Sequence, residues 1–445
     1  MFRLSVAGLL TVSAALAATS AAPVTFNKDV LPILQQHCQG CHRPGEIAPM
    51  SFMSYTEVRP WAKAIKVAVA TEKMPPWFAD PKYGHFANDR RLSQADMNTL
   101  TAWADGGAQE GDKKDAPPPA TFQDGWNIKP DMIVEMPKDF HIPATGTVNY
   151  QNVRVKVDFP EDMWVVAAEM RAGNSKVVHH ARAIVLPPQS TWLKNAKYGE
   201  AYEEGSEEMG GAKQGTDLLG KYNPGLGAQN FDVGGSAKFV PKGSDIVFNL
   251  HYTSVGTPQT DRSKVGLVFA KNPPQKRYWM SPGTPAAFNL VIPAGDSNAE
   301  VVSEVTVGID GAQLVYIQPH MHLRGKDYEV RVIYTTGETE TVFKGKWNFD
   351  WQIGYELAKP LAVPKGTRIL TVAHYDNSVN NKYNPDPTKD ILWGDQNWDE
   401  MQSGFLGLVF DVKADANKVF LPSGPSLLPR GKFGPTLATV QLPVK

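Results

Sequence analysis

Cysteine is almost missing from this chain: 445 residues hold two, Cys38 and Cys41. They stand too close together to staple distant parts of a fold, so a disulfide framework is excluded and both thiols need another use. An excess of either charge is missing too. Lys and Arg number 45 against 46 Asp and Glu, a net charge of −1, which leaves no electrostatic basis for binding nucleic acid or an anionic membrane. Long apolar runs are also missing. The run at the start, Leu4 to Ala18, is too short to cross a bilayer and no later stretch approaches the needed length, so no transmembrane segment is expected. What the chain has in quantity is glycine (38) and proline (35), the punctuation of many short strands rather than of long helices.

Arg3 precedes the early apolar run, and small residues follow at Ala15-Leu16-Ala17 and Ser20-Ala21-Ala22. A basic start, a short apolar stretch and a small-residue cut site read as a secretory signal peptide over residues 1–22; the competing reading is a buried N-terminal helix. No cysteine follows the run to take a lipid anchor. The mature chain is expected to be periplasmic or secreted.

A length of 445 residues calls for several domains. From Thr25 to about Gly111 the pattern is helical: Val30, Leu31, Ile33 and Leu34, then Trp61 to Ala70, then Ser93 to Trp103, with Ser93 as an N-cap and Asp96 behind it. Asp112 to Pro119 is charged and then proline-rich, a semi-rigid linker. Beyond it come short β-branched or aromatic runs between turn residues: Val153 to Phe159, Trp164 to Glu169, Ala181 to Leu186, Asp245 to Thr253, Val301 to Val307, Gln313 to Gln318, Tyr328 to Tyr334, Arg368 to His374 and Phe405 to Val412. That is the signature of antiparallel sandwiches, too long for one, with a break near Lys271-Asn272-Pro273-Pro274. The expected fold is an N-terminal all-α domain (23–112), a linker (113–124), two all-β jelly-roll-like sandwiches (125–274 and 275–425) and a tail (426–445).

His37-Cys38-Gln39-Gly40-Cys41-His42 contains C-x-x-C-H, the attachment signature of a c-type haem, so the all-α domain over 23–112 is expected to be cytochrome c-like. Two thiols on one helical turn can form thioethers, and the following imidazole, His42, can take an axial position on the iron. Zinc would need a second ligand pair, and a thioredoxin-like pair would not need His42. The second axial ligand of an electron carrier would be a thioether. Met74, held extended in Lys73-Met74-Pro75-Pro76-Trp77, is the preferred candidate, with Met50 as rival and His85 as a weaker one; Met53 and Met97 read as core.

Further along, His320 and His322 follow the apolar strand Leu314 to Ile317. Side chains two apart in extended chain share a face, so both imidazoles can reach one metal; two surface histidines are the plainer alternative. Adjacent His179 and His180 would point to opposite faces unless the backbone bends there. His251, alone on a strand, would by itself be an ordinary core histidine.

Taken in order, His179-His180, Tyr222-Asn223-Pro224-Gly225, Leu250-His251-Tyr252, His320-x-His322 with Gly325, and Asp399-Glu400-Met401 resemble the copper type II, ascorbate-dependent monooxygenases, the group that includes the peptidylglycine and dopamine hydroxylating enzymes. The resemblance covers roughly Gly125 to Val412. It implies an electron-transfer copper on His179, His180 and His251, and a catalytic copper on His320, His322 and Met401. It further implies O2 and a small organic substrate as reactants, with ascorbate or another one-electron donor; the haem tethered in front of the module, or a redox partner protein, is expected as a possible relay. Imidazole suits both copper oxidation states and a thioether favours Cu(I). The chain departs from the pattern where amidating members bind a substrate carboxylate: Gln318 stands for an arginine and Phe405 for a tyrosine. Peptide amidation is therefore not implied. The module carries no cysteine, and His374, where relatives can carry one, reads as structural.

Overall fold

The computed structural model describes residues 23–122, 125–157, 159–193, 195–203, 217–223, 225–281, 283, 285–394 and 396–421. The signal peptide (1–22), the tail (426–445), Pro224 and the last two linker residues lie outside them.

Strand-forming sequence dominates, as the alternation of β-branched residues with turns dictates. A nine-stranded sheet runs through the molecule in the order Met132–Glu135, Lys264–Phe269, Met163–Arg171, Ser236–Val240, Lys276–Met280, Ser403–Asp411, Gln313–His320 and Tyr355–Ala362, with Gln229–Asn230 beside the third strand. A five-stranded sheet (Ala201–Glu203, Gln151–Val155, Asp245–Tyr252, Val178–Leu186, Asp217–Tyr222) covers one half of it. A four-stranded sheet (Ala299–Thr306, Arg368–Tyr375, Gly325–Ile333, Thr339–Lys346) covers the other. Lys276–Met280 is the joint: it pairs parallel with Ser236–Val240 and antiparallel with Ser403–Asp411. Two cores result. One holds Val165, Leu219, Phe248 and Leu267, the other Leu314, Val330, Ile369 and Leu408. The first also takes in Val315, Tyr316, Phe405 and Val409 from the second half, so the sandwiches are welded by apolar packing.

The all-α cytochrome c-like domain is not there. Of the described residues 37% are strand and 12% helix, and the α-helices among them are short: Leu31–His37, Tyr55–Val58, Ala62–Ala70 and Gln94–Asp105. They share a small core of Phe26, Leu34, Val58, Ile65, Leu100 and Trp103, but the chain between the last two leaves it. Pro75 and Pro76 cannot continue a helix, and the aromatic residues that follow find burial elsewhere. Trp77 packs at 4.9 Å on Tyr355, Ala79 bridges to Gly345 and Phe86 to Leu357. The helical segment is thus a cap seated on the β-structure. A further anchor is polar: Glu46 pairs with Arg43 at 2.9 Å and with Arg171 of the first sandwich at 2.7 Å. The expected cap at Ser93 is formed, its hydroxyl accepting from the Asp96 amide at 3.1 Å.

Candidate functional site

The Cys38-x-x-Cys41-His42 turn continues the helix Leu31–His37: the Cys38 amide donates to Leu34 O at 2.9 Å and the His42 amide to Cys38 O at 2.9 Å. Burial pushes the Cys38 thiol up to about 12, with Cys41 adding to it, and raises Cys41 as well, so both sulfurs stay protonated. The His42 ring stacks on Phe52 at 4.2 Å, and its Nδ1 lies 3.3 Å from Met50 O, which leaves Nε2 to face outward from that contact. Met74 lies just past the helix Ala62–Ala70, its amide donating to Ala68 O at 3.1 Å. His85 contributes only its carbonyl, to the Ala358 amide.

Strands Val178–Leu186 and Asp245–Tyr252 bring the first histidines together. His251 stands opposite His180 and Tyr252 opposite Val178, so His179 is the extra residue of a β-bulge. A bulge turns consecutive side chains out of strict alternation, which is the bend that adjacent His179 and His180 require. Their ring centroids are 5.2 Å apart, and those of His180 and His251 4.8 Å. On the second sandwich His320 ends the strand Gln313–His320, with the His322 ring 5.3 Å away. His180 and His320 approach to 6.5 Å. Five imidazoles from both sandwiches therefore share one chamber, where the sequence pattern suggests two separate groups.

The chain on either side of Met401 is tied to the H-x-H end, and the Met401 carbonyl accepts from the Tyr375 hydroxyl at 2.7 Å. The buried Glu400 carboxylate accepts from the amides of His322 at 2.8 Å and Arg324 at 2.6 Å, and Ser403 stands opposite His320. Burial lifts Glu400 to about 8 even though these amides and Arg324 pull it down.

Every chamber histidine is held neutral. Burial is the leading cause in each case: His180 and His320 fall well below the ordinary imidazole value, His251 to about 3, His322 to about 4, and His179 is lowered. Neutral imidazole is the metal-binding form. Three ring nitrogens, His180 Nδ1, His320 Nε2 and His322 Nδ1, are buried without a hydrogen-bond partner, an unusual surplus for a native interior. The chemistry of the donors therefore suits a transition metal.

A ready-assembled metal centre, however, is not formed. Among the described residues, no group of three or more His, Cys, Asp or Glu side chains is arranged to hold an ion. This corrects the expectation of a finished three-histidine site on His179, His180 and His251. The reason lies in the rings themselves: His180 Nε2 stands 3.2 Å from His251 Nδ1 and 3.1 Å from the Tyr150 hydroxyl, so these imidazoles are turned toward partners rather than toward one point.

Several contributors have no sequence signal. Tyr150 stacks on His251 at 4.6 Å, Phe349 on His179 at 5.1 Å, and Gln352 Oε1 lies 2.9 Å from His320 Nδ1. A lone glutamine or aromatic residue in a loop carries no pattern to find. The Tyr222–Gly225 motif does have a visible task. Gly225, at φ +80°, lets the chain pass Trp351, whose ring would lie 2.7 Å from a Cβ there, and its carbonyl accepts from Arg90 at 2.6 Å. Gln318 and Phe405 are committed to Lys221, whose Nζ bonds Gln318 Oε1 and lies 4.4 Å from the Phe405 ring centre. Arg324 is structural, bonding Asn377 at 3.0 Å and Trp398 O at 2.8 Å. So is His374, bonded to Asp327 at 2.7 Å.

A cleft of about 370 Å³ opens beside His251, walled by Thr145, Thr147 and Ser254 of the first sandwich and Gln396, Asn397 and Trp398 of the second. Among the described residues, no Asp, Glu, Lys or Arg side chain lines it.

No family model matches the chain, and no curated protein matches it. Among solved structures, the major capsid protein P2 of bacteriophage PM2 is 8% identical, over 64% of this chain and 100% of that one, at a TM-score of 0.27. The structure of infectious bursal disease virus Gx strain is 7% identical, over 65% of this chain and 75% of that one, at 0.20. Allantoicase is 12% identical, over 58% and 84%, at 0.16. Similarity at these scores carries no conclusion about what this chain does.

Proposed function

We propose that the chain is an exported copper- and haem-containing oxidoreductase that inserts one atom of O2 into a C–H bond of a small organic substrate. The observation that carries this reading is the convergence of His179, His180, His251, His320 and His322, neutral and with three buried ring nitrogens unpartnered. Copper bound there would supply oxygen binding and single-electron exchange. His179, His180 and His251 would hold one ion and His320, His322 and Met401 the other. His180 and His251 must first release each other, so loading requires ring rotation on the first sandwich. Glu400 keeps Met401 and the H-x-H end in one rigid piece.

The cleft at His251 is the natural substrate entrance, within the size range of small-ligand sites. The reaction consumes substrate–H, O2, two electrons and two protons and yields substrate–OH and water. Cys38 and Cys41 would carry haem thioethers, with His42 presenting Nε2 to the iron. Met74 would supply the second iron ligand, with Met50 as its rival. Ascorbate, another one-electron donor or a redox partner protein would supply the electrons.

Protein matured in the periplasm should contain one haem and two coppers per chain, and candidate substrates should acquire label from isotopically labelled O2. A second reading, an electron-transfer or copper-holding protein without hydroxylase activity, is favoured by the enclosure of Gln318 and Phe405 under Lys221, which leaves no open group there to hold a substrate. Metal uptake without labelled product selects it. A chain that takes up no copper ends both.

A further inference from the structure

We infer that Gln352 is a positioning residue for His320: its side-chain oxygen holds the imidazole with the proton on Nδ1 and leaves a bare Nε2 in the chamber. The inference deepens the reading of the chamber as a metal site and rests on that reading for its function, though not for its geometry. Gln352 Oε1 lies 2.9 Å from His320 Nδ1, and Asn223 Nδ2 approaches the same oxygen at 3.5 Å. An atom that receives the Asn223 amide is the acceptor, so His320 must donate to it. The other ring nitrogen, Nε2, is buried with no partner.

The glutamine is itself held. Gln318 Nε2 donates to Gln352 O at 2.8 Å, and the loop 347–353 is pinned where Asn88 donates to Gly354 O at 2.9 Å. The same loop touches two more chamber histidines: Trp347 Nε1 donates to His322 O at 3.0 Å, and Phe349 stacks on His179 at 5.1 Å. One segment of the second sandwich therefore orients histidines of both. Fixing the tautomer through the far nitrogen is how an imidazole is kept ready for a metal, and losing such a partner typically weakens metal binding by about 10–100-fold.

The test begins with metal-free protein labelled with nitrogen-15 at histidine, in which long-range proton–nitrogen spectra report the tautomer of each ring. His320 should carry its proton on Nδ1 in the wild type and in Gln352→Glu, which keeps the acceptor, and should lose that preference in Gln352→Leu. Copper titration should then show affinity reduced about 10–100-fold in Gln352→Leu and nearly unchanged in Gln352→Glu. A wild-type His320 protonated on Nε2, or an unaltered tautomer in Gln352→Leu, overturns the inference. If Gln352→Leu does not fold, the wild-type spectrum alone decides. The expected tautomer together with absence of copper binding in every form would refute the metal reading and leave the positioning role standing.

Discussion

A buried imidazole that cannot be hydrated gives up its proton, and this governs the chamber at the level of single residues. His251 and His322 are held at about 3 and about 4, mainly by burial. In the unfolded chain both titrate near their ordinary value. Their folded values are depressed, so their full contribution to stability is present above that ordinary value, about 6.5. It is lost as the pH falls toward the folded values, because the unfolded state binds the extra protons. Metal-free protein should therefore lose stability between roughly pH 6.5 and pH 4, by on the order of 3 kcal/mol for His322 alone. Denaturant unfolding at a series of pH values measures this, and a flat profile over that span would count against neutral burial.

Lys221 is a second residue-scale case. Burial, then Arg182 and Lys238, hold its amine well below the ordinary lysine value, and its polar side-chain partner among the described residues is Gln318. An amine kept from water without an acid costs stability. Lys221→Met should leave the unfolding free energy unchanged or raise it by up to about 2 kcal/mol, because the Tyr316 hydroxyl still donates to Gln318 at 3.2 Å. A large loss would mean that the amine is needed for the fold.

At the scale of elements, the bulge at His179 and the loop 347–353 do what strand periodicity forbids. Regular alternation would place His179 and His180 on opposite faces; the bulge sets them on one. The loop depends in turn on Gly225, whose left-handed backbone and lack of a Cβ make room for Trp351. Gly225→Ala should cost about 2 kcal/mol or more, from backbone strain plus the clash. It should also disturb the loop, so histidine spectra of the variant should shift at His320 and His179. A variant with wild-type stability and spectra would show that the loop does not rely on that passage.

For the whole molecule, the decisive packing event is the docking of the helical cap. Trp77 and Ala79 belong to the core of the second sandwich, while Glu46 ties the cap to Arg171 of the first. Truncating Trp77 to alanine should cost about 3–5 kcal/mol. It should also expose the chain around residues 71–93 to proteases before the sandwiches unfold. If Trp77→Ala resists proteolysis like the wild type, the cap is held by other contacts.

Local pattern determined what depends on near neighbours. The helix cap at Ser93, the Cys38–His42 turn, the position of the strands and the closeness of His320 and His322 all follow from spacing and side-chain type within a few residues. Only the tertiary structure decided that 71–93 would leave the helices for a β-core, that a bulge would rotate His179, and that Gln352 would meet His320. Those outcomes rest on apolar burial and hydrogen-bond pairing between segments far apart in the chain, where no local periodicity records the partner.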